Sequence, residues 1–152
     1  MSNFKKFVMT GAMLTALVGL TGCGPQAEAV KDPGMHKVVI QVSSADPQTQ
    51  TIAINNAVNI RKALGRDNVD VEIVAYGPGL SMLTANPKNK NAERVTSLAM
   101  EGVKFDACGN TMKKIEKKTG HMPKLAEGVT VVPGGVIKIM QLQEAGYSYV
   151  RP

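Results

Sequence analysis

Val103-Lys-Phe-Asp-Ala-Cys-Gly-Asn-Thr-Met112 decides how this chain is read. Val103 to Ala107 predicts a strand, and Thr111 to Lys118 predicts a helix with Asn110 as its N-cap and Gly120 as its stop. A strand that hands over to a helix within a few residues is half of a βαβ unit. Cys108 sits at the hand-over. The free N–H groups of a first helical turn favour a thiolate over a thiol at that place.

The same alternation runs outward in both directions. Lys37 to Ser43 is a β-branched run, hence a first strand. Asp46-Pro47 starts a helix that continues to about Leu64, with Ile52, Ala53, Ala57, Ile60 and Leu64 on its apolar face and Gly65 at its end. Val69 to Ala75 is the second strand; Tyr76-Gly-Pro-Gly79 is a loop, and Leu80 to Thr84 a helical turn. Asn91 to Met100 is a second helix closed by Gly102. Beyond the third strand and helix come a strand at Val129 to Val132, a helix opened by Gly134-Gly135 and running to about Ala145, and a strand at Tyr147 to Val150. Strands and helices in alternation imply right-handed crossovers and an α/β fold with a mostly parallel five-stranded sheet, helices on both faces. Sites in such sheets lie beyond the carboxyl ends of the strands, where the Tyr76 loop, Cys108 and the Pro133-Gly134-Gly135 turn all fall.

The N-terminus reads differently. Lys5 and Lys6 precede the apolar stretch Phe7 to Leu20, and Leu20-Thr21-Gly22-Cys23 resembles a bacterial lipobox. The expectation is a signal peptide over residues 1–22 and a lipidated Cys23. A Gly/Pro/Ala-rich tether then reaches to Met35, and one domain spans 36–152. Gly24, rather than Asp, after the cysteine points to the outer membrane, with the domain facing the periplasm. Without Lys5 and Lys6 the chain has 16 basic and 12 acidic residues, a net +4. Lys113, Lys114, Lys117 and Lys118 form its densest basic cluster, which reads as a solvated helix face. With no Trp and no aromatic interleaving, nucleic-acid binding is disfavoured.

With Cys23 lipidated, Cys108 has no partner within the chain. Gly109 removes a side chain beside the sulfur, and Asn110 and Thr111 offer hydrogen bonds to it. Lys113 and Lys114 add positive charge if they turn inward. The competing reading is a buried, inert Cys108, since free cysteine is among the most buried residue types.

The domain resembles the DsrE/DsrF-like family of small sulfur-relay proteins. The resemblance is carried by Lys37-Val-Val-Ile-Gln-Val42, Ile54-Asn-Asn-Ala-Val-Asn-Ile60, Tyr76-Gly-Pro-Gly-Leu80, Phe105-Asp-Ala-Cys-Gly-Asn-Thr-Met112 and Ala145-Gly-Tyr-Ser-Tyr-Val-Arg-Pro152. It implies a flavodoxin-like, three-layer fold that assembles as trimers or hexamers. It also implies that Cys108 carries a persulfide between sulfur donor and acceptor proteins or small sulfane-sulfur compounds. Gly109, Asn110, Thr111, Gly77 and Gly79 then support the site. No cofactor and no metal are implied. Cys108 would attack a sulfane sulfur or thiosulfonate and yield the outer sulfur to a partner. Export is the departure from relatives that work with cytoplasmic partners.

Three other readings compete. A membrane-tethered oligomeric module with an inert Cys108 is not an enzyme, whereas an active Cys108 makes the chain sulfurtransferase-like; an apolar patch around the second and fourth helices favours assembly. A Cu(I) protein could draw on Cys108, His121, Met122 and some of the nine methionines, although Met100, Met112 and Met140 fall at helix-core positions. Conventional hydrolases and nucleotide enzymes are disfavoured, because no Ser-His-Asp grouping and no phosphate-loop spacing is present. Asp106 is expected in solvent at a strand end. Glu72 is expected on an edge strand facing water or paired with a lysine.

Overall fold

The computed structural model describes residues 34–152. The expected signal peptide, Cys23 and most of the tether lie outside them. β1 (His36–Val42), β2 (Val69–Ala75), β3 (Lys104–Cys108), β4 (Val129–Val132) and β5 (Ser148–Val150) form one parallel sheet in the order β4-β3-β2-β1-β5. The helices are α1 (Pro47–Leu64), α2 (Ala92–Met100), α3 (Gly109–Thr119) and α4 (Gly135–Glu144), and a 3-10 helix covers Gly77–Leu83. The fold is α/β and flavodoxin-like.

Strand order dictates where the helices go. From β1 to β4 the chain steps steadily toward one edge, so right-handed crossovers put α1, α2 and α3 on one face. From β4 it must return past β1 to reach β5, and the same handedness puts α4 on the opposite face. Packing agrees with this. Ile40, Val42, Val71, Ile73, Phe105 and Ala107 meet Ala53, Ile54, Ala57, Val95, Leu98 and Met112 in the large core. The alternate residues Val39 and Val74 meet Ile139 and Leu142 of α4 in a small one. Among the described residues, α4 is the one helix packed on that side.

The buried stripe of α1 is Gln50, Ala53, Ile54, Ala57 and Arg61; Ile52 and Leu64 are exposed. Two polar residues take core-facing places because their groups are satisfied. Gln50 Nε2 donates to Ser44 O at 3.0 Å and Ser81 Oγ at 2.9 Å, and Arg61 pairs with Glu101 at 3.3 Å. Met112 is buried as expected, whereas Met100 and Met140 project into solvent from α2 and α4. Asp46 caps α1 through Thr49 N at 2.7 Å, and Gly65 ends it at φ +90°.

Gly79 brings the loop after β2 against the end of β1. A Cβ there would lie 2.3 Å from Val42 O and 2.6 Å from Val42 C. Gly79→Ala is therefore expected to cost about 1–3 kcal/mol of stability, read from chemical denaturation. A variant as stable as the wild type would show that the loop relaxes freely.

Candidate functional site

Cys108 is the last residue of β3 and the N-cap of α3. The helix thus begins at Gly109, two residues earlier than the Asn110 cap implied, because the chain turns helical as soon as the strand pairing to Val132 ends. In β3, Phe105 and Ala107 point to the large core, so Asp106 and Cys108 point to the α4 side. The hydroxyl of Thr111 and the backbone N–H groups of Gly135, Thr111 and Asn110 lie close enough to the sulfur to favour its anion. Asn110 and Thr111 belong to the first turn of α3, and Gly135 opens α4. The N-termini of two helices therefore converge on one sulfur atom. Burial pushes the thiol up, but these four donors outweigh it and hold Cys108 below the ordinary thiol range.

Close approaches at glycine make the convergence possible. A Cβ on Gly135 would lie 2.9 Å from Tyr76 Cβ and Cδ1, so only glycine lets α4 start this near the β2 loop. Tyr76 is held by Gln41 Nε2 at 2.6 Å, and Gln41 Oε1 accepts from the Tyr149 hydroxyl. Gly77, at φ +54°, donates its N–H to Thr111 Oγ1 at 2.9 Å, which orients the hydroxyl that serves the sulfur. Gly109 faces β4, where a Cβ would stand 3.1 Å from Val132 O. Asn110 N donates to Pro133 O at 3.3 Å and ties α3 to the turn before α4. Cys108 forms no disulfide and is 5% exposed.

Lys113 and Lys114 are exposed rather than turned toward the sulfur. Thr111 also lines a cavity of about 500 Å³ with Gly77, Pro78, Lys114, Ile115 and Lys118. His121 follows the C-cap Gly120 of α3, so about 16 Å of helix separates it from Cys108, and the two do not share a site. No group of three or more His, Cys, Asp or Glu that could hold a metal ion occurs among the described residues.

Asp106 and Glu72 depart from expectation. β2 and β3 are interior strands, so both carboxyls are buried under α4, at 4% and 3% exposure. Lys138 Nζ of α4 stands 2.7 Å from Glu72 Oε1 and 3.6 Å from Asp106 Oδ2. The lysine partner expected for Glu72 is present, but the edge strand is not. Asp106 Oδ2 has no hydrogen-bond partner. Burial, and then the neighbouring Glu72 carboxyl, raise Asp106 to about 7 against the pull of Lys138. Asp106 therefore takes up a proton far more readily than an exposed aspartate does. Alternation in Glu72 and Asp106 was visible in sequence, but their depth was not.

A model of the DsrE/DsrF-like family matches residues 36–152. The chain belongs to that family. A protein of unknown function from Methanobacterium thermoautotrophicum, MTH1491, is 32% identical with a TM-score of 0.68, over 77% of this chain and 99% of that one. The ychN protein from E. coli, 16% identical with a TM-score of 0.61 over 78% of this chain and all of its own, shares the fold. No curated protein is significantly similar to the chain. DsrE/DsrF-like membership supports a role of sulfur-relay type in general terms.

Two outcomes follow from this geometry. Thr111→Val should slow alkylation of Cys108 roughly tenfold below neutral pH while Thr111→Ser preserves it; equal rates in all three proteins would show that the hydroxyl does not act on the sulfur. The second concerns Asp106, whose acid is stronger unfolded than folded. Its contribution to stability is complete below about pH 4 and is lost as pH rises through about 7. Asp106→Asn should remove a decline of roughly 2–3 kcal/mol between pH 4 and 8, measured by urea unfolding. An unchanged decline would place its origin elsewhere.

Proposed function

We propose that the chain is a sulfur carrier: Cys108 accepts sulfane sulfur as a persulfide and passes it to a partner. The observation that carries this reading is the sulfur at the meeting point of two helix N-termini, where an anion is stabilised. The thiolate attacks the outer sulfur of a donor R–S–SH. A new S–S bond forms at Cys108, the donor's S–S bond breaks, the transferred sulfur keeps its proton, and R–S⁻ leaves with the electron pair. Delivery reverses this. An acceptor thiolate takes the outer sulfur and Cys108 departs as the thiolate that the four donors already accommodate. A persulfide anion meets the same N–H groups, and Gly77, Gly79, Gly109, Asn110 and Thr111 hold them in place. The Lys114 and Lys118 side of the neighbouring cavity suits anionic donors such as polysulfides or thiosulfonates.

In this reading the chain is exported, lipidated at Cys23 and tethered to the outer membrane, with the domain in the periplasm. Val136, Ile137 and Met140 on the outer side of α4 supply an apolar surface for assembly into trimers or hexamers.

The 5% exposure of Cys108 favours a second reading, an interaction module whose thiol is inert. One experiment separates the two. The full chain is incubated with a polysulfide and the Cys108 peptide is weighed, with Cys108→Ser as control. The carrier reading expects a gain of one sulfur atom that is lost on addition of an acceptor thiol. A Cys108 peptide of unchanged mass, beside a control carrier that does load, leaves the interaction module.

A further inference from the structure

The buried carboxyls Glu72 and Asp106 and the half-buried Lys138 lie outside the site described for Cys108, yet the trio touches the same helix. Lys138 is in the first turn of α4, where its backbone N–H donates to Gly134 O at 3.0 Å. A cation is disfavoured at that end of a helix, because the dipole there is already positive. Something else must account for a lysine in this turn, and the two buried carboxyls do: Nζ reaches inward to Glu72 at 2.7 Å and toward Asp106 at 3.6 Å. Only three residues along the chain lies Gly135, whose N–H reaches the Cys108 sulfur. Along β3, Asp106 and Cys108 are two residues apart on one face, about 7 Å.

We propose that Lys138 is a positioning residue for Cys108: its ion pair with the buried Glu72–Asp106 pair pins the first turn of α4 so that the Gly135 N–H stays on the sulfur, and its charge offsets the anion that Asp106 presents to the thiolate. The inference rests on Cys108 being the reacting group. It assigns work to a residue that does not touch the sulfur. α4 needs such a pin, because its apolar anchorage on this side is the small cluster of Val39, Val74, Ile139 and Leu142. Its far end is held by Lys37 Nζ donating to Ala145 O at 3.3 Å. The turn before α4 is tied to α3 by Asn110 N donating to Pro133 O at 3.3 Å.

The electrostatics run in one direction. With Lys138 present, a cation stands between the two carboxyls and offsets their charge. With Lys138 gone, that charge lies uncompensated nearer Cys108, and the thiolate is penalised. The other ionisable groups on this face are engaged elsewhere, although Lys104 also feels the charges of Glu72 and Asp106. Lys104 pairs with Asp70 at 2.6 Å at the amino end of the strands, Tyr147 donates to the same carboxylate at 2.6 Å, and Lys37 is on Ala145. β4 contributes only Thr130 and Val132 to this face.

The test is the pH profile of iodoacetamide alkylation at Cys108, resolved by peptide mass, on the full chain. It uses no sulfur donor, so its outcome is independent of whether Cys108 loads sulfur. Lys138→Met should shift the profile to higher pH and slow alkylation at pH 7 about three- to tenfold, with Lys138→Arg close to the wild type and circular dichroism unchanged. Should Lys138→Met fail to fold, Asp106→Asn carries the test: removing the titrating anion should move the profile to lower pH. A folded Lys138→Met with the wild-type profile, a Lys138→Arg as impaired as the Met variant, or an Asp106→Asn profile that does not move would each overturn the proposal. A sulfur-loading failure with the predicted alkylation shifts would instead remove the carrier reading and leave the role of Lys138 intact.

Discussion

Two helices that begin at the same sulfur atom are the constraint on which this structure turns. Backbone N–H groups at a helix start have no partner within the helix. Here three of them, one from α4 and two from α3, are directed at Cys108 with the hydroxyl of Thr111. The arrangement gives the thiol an environment in which charge is favoured despite burial.

That convergence is a product of topology. The sheet order sends α3 and α4 to opposite faces, yet both start at the carboxyl edge, on either side of the β3–β4 pair. Their first turns can approach only where side chains are absent. Gly109 lies against Val132 O and Gly135 against the Tyr76 ring, so two glycines on neighbouring segments set the spacing at which both helices reach one atom. Gly109 thus has a packing role toward β4.

The thinner face of the sheet carries the polar chemistry. α1, α2 and α3 bury a continuous apolar layer, whereas α4 covers Gln41, Glu72, Asp106 and Cys108 with only a small apolar cluster. Buried carboxyls beneath a helix are expensive unless paired, and Lys138 pairs them while holding the helix down. A face built this way has fewer apolar contacts to lose than its opposite.

Much of the fold was legible in residue order. β2 at Val69–Ala75 and β4 at Val129–Val132 stand where β-branched runs place them, and Asp46-Pro47 and Gly65 bound α1 as caps should. These signals are local, set by backbone geometry and side-chain period. The burial of Gln50 and Arg61 in place of Ile52 and Leu64 was not legible, since it depends on Ser81 and Glu101 from other elements. Nor was the depth of Glu72 and Asp106, which follows from β2 and β3 being interior strands. Sequence alone determined the strand-helix alternation and put Cys108 at a helix start, because both depend on neighbours in the chain. Only the tertiary structure decided that Gly135 also reaches that sulfur and that Lys138 stands over two carboxyls, because those contacts join residues that strand order, not chain order, brings together.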